Sequence, residues 1–97
     1  MLDYLNGYLD NNDIEIIKKQ FNKDILNNFE AMKDNVLLII NYLLSIDIKN
    51  IKNIILKRPD LFFEDLELLK EKVGKYDNNL IKFIFDNDPS SLINLEI

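Results

Sequence analysis

The chain contains no histidine, no cysteine and no tryptophan, and only two glycines and two prolines among 97 residues. Without histidine there is no imidazole base, no imidazole ligand and no histidine pH switch. Without cysteine there is no thiol nucleophile, disulfide, zinc knuckle or iron–sulfur cluster. Gly7 and Gly74 cannot build a P-loop or a dinucleotide fingerprint. Carboxylates and lysines are the groups left for acid–base or metal work, and no enzyme chemistry or cofactor is expected of them. The scarcity of glycine and proline argues against a sandwich or barrel rich in tight turns. The lack of cysteine accords with a reducing compartment, and the expected location is cytoplasmic.

What is present is apolar and charged in globular proportions, 47% hydrophobic and 30% charged residues. Leucine and isoleucine dominate, which suits helices joined by short connections. The longest apolar stretch, residues 36–46, is interrupted by Asn41 and Ser45 and falls well short of the roughly 20 residues of a membrane span. It reads as a buried helix. The first ten residues show neither a basic start nor an apolar run, so no signal peptide is expected. Net charge is −5, unevenly spread: residues 51–82 hold seven Lys and Arg against six acids, and residues 83–97 hold three acids and no base. The overall field repels polyanions at long range.

Apolar spacing predicts an all-α single domain. Leu2, Leu5 and Leu9 suggest an opening helix within residues 1–12. Asp13 is a good N-cap for a helix carrying Ile14, Ile17 and Phe21. Phe29, Met32, Val36, Ile39, Ile40, Leu43 and Leu44 predict one long helix, with Asp24 or Asn28 as its cap. Ser45 and Asp47 end it and cap the next helix, over about residues 48–57 with Ile51, Ile54 and Ile55 inward. Pro59 stops that helix, because proline disfavours the helical conformation at Arg58. Leu61, Phe62 and Phe63 form an apolar turn. A helix with Glu64 and Asp65 at its start and Lys70 and Lys72 near its end follows, with Gly74 as C-cap. Asp77 caps a helix over residues 78–85, and Asp88-Pro89 opens a final turn through Leu92 and Leu95.

The chain also aligns with itself. At a shift of 37, Ile14 meets Ile51, Ile17 meets Ile54, Leu26 meets Phe63 and Val36 meets Val73. At a shift of 30, Ile51 meets Ile81, Ile54 meets Ile84, Pro59 meets Pro89 and Phe62 meets Leu92. The shifts differ by about two helical turns, as a longer second helix in the first copy requires. The expected units are residues 13–47, 48–77 and a shortened 78–97, each a short helix, an apolar knot and a second helix. Such units stack into a small array of helical hairpins.

Residues 46–73, IDIKNIKNIILKRPDLFFEDLELLKEKV, resemble the repeat of the mitochondrial transcription termination factor family. Pro59, Leu61, Phe62, Leu66 and Leu69 stand at matching positions, and Pro89 and Leu92 repeat the first part. The first copy departs, with Asn22 where the proline would be. The resemblance implies about two and a half such repeats over residues 14–97. It also implies nucleic-acid binding through a basic concave face, whereas this chain is acidic.

Four groups are candidate sites. Lys49, Lys52, Lys57 and Arg58 lie on and just after one short helix and can contact phosphates. An ordinary solvated face is the competing reading, and Arg58 is the only arginine. Glu64, Glu67 and Glu71 share helical spacing but read as N-terminal charge and surface ion pairing. Among the aromatics, Tyr42, Tyr76, Phe83 and Phe85 sit at core spacing, and Tyr4 and Tyr8 are better placed for an interface. Leu92, Ile93, Leu95 and Ile97 end the third unit with little polar cover, and are expected to bind the opening residues, a second copy or a protein partner. The expected function is a non-enzymatic helical-repeat binding module, with nucleic acid as the ligand the resemblance implies and an acidic protein–protein adaptor or assembly domain as the alternative.

Overall fold

The computed structural model describes all residues, Met1–Ile97, and every regular element is helical. A 3-10 turn at Asp3–Gly7 leads into α1 (Asn11–Gln20), α2 (Lys23–Ala31) and α3 (Lys33–Ser45). Then come α4 (Ile51–Lys57), a 3-10 turn at Pro59–Phe63 and α5 (Leu66–Val73). The chain closes with α6 (Asn78–Asn87) and a 3-10 turn at Pro89–Leu95. The all-α class expected from composition is what the structure shows.

The caps explain most of the boundaries. Asp10, not Asp13, caps α1, its Oδ1 accepting the Asp13 N–H at 2.8 Å. The run Asn11-Asn12-Asp13 therefore forms the first turn of α1 instead of interrupting it. The opening helix is correspondingly shorter than residues 1–12. Asn22 caps α2 through the Ile25 N–H at 3.0 Å. The single long helix expected after it is two helices, broken at Met32 (φ −107°, ψ 25°). Asp65 caps α5 and Asp77 caps α6, each by its carboxylate. Gly74 ends α5 in right-handed geometry, so its lack of a side chain is not used for a left-handed turn.

The left-handed positions fall on other residues. At Asp47 (φ 68°) the Ile48 N–H reaches Leu43 O at 3.0 Å and the Asp47 N–H reaches Leu44 O at 3.0 Å. This is a Schellman ending, with Leu43 and Ile48 both fully buried as its hydrophobic contact. It delays α4 to Ile51. Glu96 (φ 61°) repeats the device, Ile97 N–H bonding Leu92 O and Glu96 N–H bonding Ile93 O.

The register at a shift of 30 is visible in the backbone. Arg58 (φ −140°, ψ 64°) and Asp88 (φ −154°, ψ 67°) share one conformation before their prolines. Each donates its N–H to the carbonyl four residues back, Ile54 or Ile84, at 2.7 and 2.8 Å. The matched positions Ile51 and Ile81, and Phe62 and Leu92, are all buried. At a shift of 37 the agreement is looser, because Asn22 caps a true α-helix where Pro59 starts a 3-10 turn.

The first helices stack side by side, α1 on α4 and α4 on α6, and α3 lies across the Pro59 turn and α5. Phe29 sits at the centre, fully buried, with its ring 4.8 Å edge-on to Phe63, 6.3 Å from Phe21 and 6.4 Å from Phe62. The opening residues are pinned on this side. Tyr4 Oη donates to Phe29 O at 2.6 Å, Tyr8 Oη donates to Asn41 Oδ1 at 2.9 Å, and the Leu2 N–H donates to the Glu30 carboxylate.

Candidate functional site

The joints between first helices are polar at their ends and carry a repeated ion pair. Lys52 of α4 reaches back to Asp13 of α1 at 3.2 Å. Lys82, thirty residues later on α6, reaches back to Asp47 before α4 at 2.6 Å. That hydrogen bond and charge, with Lys49 4.0 Å away, hold the Asp47 carboxyl below its ordinary range. Asp86 of α6 closes the second joint, its Oδ1 accepting the N–H groups of Lys49 and Asn50 at 2.9 Å each. No side chain of α4's own flank caps that helix.

These contacts decide the fate of the basic candidates. Lys52 is committed to Asp13, and Arg58 is the most deeply committed of the four, its side chain only 14% exposed. Its Nε and Nη2 donate to Asp60 at 3.0 Å each, and Nη2 also donates to Ile97 O at 2.7 Å. The sole arginine is thus a clasp between the two proline turns and not a free phosphate contact. Lys49 and Lys57 remain exposed. The carboxylates Glu64 and Glu67 pair with Lys72 and Lys70, and no group of three ligating side chains is arranged to hold a metal.

The C-terminal candidates divide. Leu92 and Ile97 are buried, contrary to the expectation of an uncovered apolar end, and Leu95 is half-buried. The reason is that the Pro89 turn folds back over α4 and α6, Tyr76 Oη bonds Leu95 O at 2.9 Å and Arg58 holds Ile97 O. The opening residues do not cover this end. They lie against α1, α2 and α3. Ile93 alone stays outside, 68% exposed. It borders an open groove of about 590 Å³ with Arg58, Phe63, Glu64, Lys72 and Ile97. Arg58 and Lys72 in that groove are already paired.

Of the tyrosines, Tyr4 is half-buried and internally bonded, and burial, with the Glu30 charge adding, pushes its phenol well above 10. Tyr8 is at the surface with its hydroxyl on Asn41.

The residue that spacing misplaced is Phe83. Its spacing predicts a core position, yet it is 66% exposed, with Leu80 45% exposed and Ile84 half-buried on the same helix. At about 100° per residue, Leu80 and Ile84 lie on the side of α6 opposite Lys82 and Asp86, and Phe83 stands at the solvent apex. The apolar flank therefore faces away from α4. The far flank of α1, at the other end of the stack, is different: Glu15 and Lys19 are exposed there. No protein-family profile, no curated protein and no solved structure matches the chain. No helix is long and apolar enough to cross a membrane.

Proposed function

We propose that the chain is a non-enzymatic helical-repeat module that binds a protein partner. The observation that supports this reading is the apolar outer flank of α6, Leu80, Phe83 and Ile84, at the end of a stack whose opposite end is charged. Repeat arrays need polar outer faces at their ends to stay soluble, so an apolar end is a surface to be covered. The nucleic-acid reading implied by the family resemblance draws less support. Lys52 and Arg58 are held by carboxylates of the same chain, Lys49 lies 4.0 Å from Asp47, and the net charge is −5.

Two measurements test the proposal. A photo-cross-linking residue at position 83, compared with one at position 19, is expected to give discrete protein adducts in a host extract from position 83 only. Adducts from neither position, or the same adducts from both, overturn the reading. Fluorescence anisotropy with DNA and RNA at low salt is expected to show no binding. Binding whose logarithm falls with log salt by about 0.7–0.9 per phosphate, and which Lys49→Ala with Lys57→Ala removes, establishes the nucleic-acid reading instead.

A further inference from the structure

The repeat register says what kind of surface the α6 flank is. Thirty residues before Leu80 and Ile84 stand Asn50 and Ile54 of α4. Those two positions face α6: Asn50, at the exposed edge of the joint, donates its Nδ2 to Asp86 O of α6 at 3.2 Å, and Ile54 is fully buried. Leu80 and Ile84 thus occupy, one step further along the stack, the place where a following helix sits. The same step relates Asp47 to Asp77. Asp47 receives the lysine of the following helix. Asp77 is exposed, and its carboxylate holds only the N–H groups of Asn79 and Leu80, at 3.0 and 3.1 Å.

The charges at the two ends of the flank have one sign. Asp77 and Asp88 stand at those ends, Asp86 turns to the opposite side toward α4, and the one lysine of α6, Lys82, is consumed by Asp47. A second copy of this chain brings a poor match. Its own α6 repeats the acidic rim, and the outer side of its α1 is charged where apolar surface is needed.

We propose that the outer flank of α6 seats a lysine-bearing amphipathic helix of a partner protein, its apolar stripe on Leu80, Phe83 and Ile84 and a lysine on Asp77. This inference rests on the protein-binding reading above and specifies its partner. The contact continues the α1–α4–α6 stack by one helix; a lysine of the following helix meets a carboxylate of the preceding unit at both internal joints, and the Lys82–Asp47 pair is the one whose register Asp77 repeats.

The test uses the full ¹⁵N-labelled chain and two synthetic helical peptides. Both carry leucine at helical three- and four-residue spacing. One has lysine at the remaining positions, the other glutamate. The lysine peptide is expected to shift amide resonances over residues 77–87. The shifts should vanish in the Leu80→Ser, Phe83→Ser double variant, whose melting temperature is expected to stay close to that of the parent because both side chains are substantially exposed. Asp77→Asn keeps the helix cap but removes the charge, and should weaken binding about two- to fivefold, the size of one exposed ion pair. No shifts with either peptide, equal shifts with both, or shifts centred elsewhere overturn the inference. So do concentration-dependent shifts at residues 77–87 without peptide, which make a second copy the occupant. Adducts from position 83 combined with no response to the lysine peptide leave the protein-binding reading standing and remove only the helix partner.

Discussion

Replacing Arg58 separates a structural role from a ligand-binding one. If Arg58 were a free phosphate contact, Arg58→Ala would leave stability unchanged. In the structure its side chain is only 14% exposed and its Nη2 holds Ile97 O at 2.7 Å. A hydrogen bond from a charged donor contributes about 1.5–3 kcal/mol. Burial of the aliphatic stem adds about 1–2 kcal/mol. Against this, Nη1 is buried without an acceptor, an unmet cost of about 1–3 kcal/mol that truncation removes. The pair with Asp60 adds little, since that carboxylate is largely exposed and screened. The net loss is about 2 kcal/mol, which in a domain of this size lowers the melting temperature by about 8–16 °C. Arg58→Met keeps most of the stem and removes the unsatisfied nitrogen, so it should fall between Arg58→Ala and the parent. Thermal unfolding followed by circular dichroism reads all three. An Arg58→Ala melting temperature within about 2 °C of the parent refutes the clasp, because the net of about 2 kcal/mol predicts a shift several times larger.

Other perturbations follow from single contacts. Phe29→Ala empties the centre of an aromatic cluster and should cost about 3–5 kcal/mol in urea unfolding, enough to leave the chain marginal. Asp86→Ala strips the cap shared by Lys49 and Asn50 and should cost about 1–2 kcal/mol, with faster hydrogen exchange at those two amides. Lys82 holds the Asp47 carboxyl below the ordinary 3.8 in the folded state, so the unfolded chain takes up that proton first. The contribution of Asp47 is therefore complete above pH 3.8 and is lost as pH falls through the lower folded value. Asp47→Asn, which tolerates the left-handed backbone, should flatten acid unfolding in that window.

Local chemistry was legible and long-range chemistry was not. The helix starts at Asp65 and Asp77 and the stops before Pro59 and Pro89 follow from side-chain capping and from proline's effect on its predecessor, and the structure has them where expected. At residues 10–13 all four positions hold Asp or Asn, and pattern alone cannot choose Asp10 over Asp13. The break at Met32 carries no glycine, proline or capping residue, so apolar spacing runs straight through it. Arg58 and Asp86 act on partners 39 and 36 residues away, which no local rule reaches. In α6, Leu80, Ile81, Phe83, Ile84 and Phe85 surround the helix with apolar groups. A helix apolar on most sides has no unique inward face by periodicity.

That same ambiguity is what makes Phe83 informative. Stability does not account for a phenylalanine left 66% exposed, since it buries little area and orders a large side chain. The equivalent position of α4 is Asn53, so the repeat itself does not demand an aromatic there. Nor does the surface lack polar choices: Asn78, Asn79 and Asn87 stand on the same helix. The α1 end presents Glu15 and Lys19 beside a partly exposed Ile16, and the α6 end presents Leu80 and Phe83. Under the proposed protein-binding reading, a chain that can finish a stack with charge at one end and finishes it with exposed aromatic surface at the other uses the second end for contact.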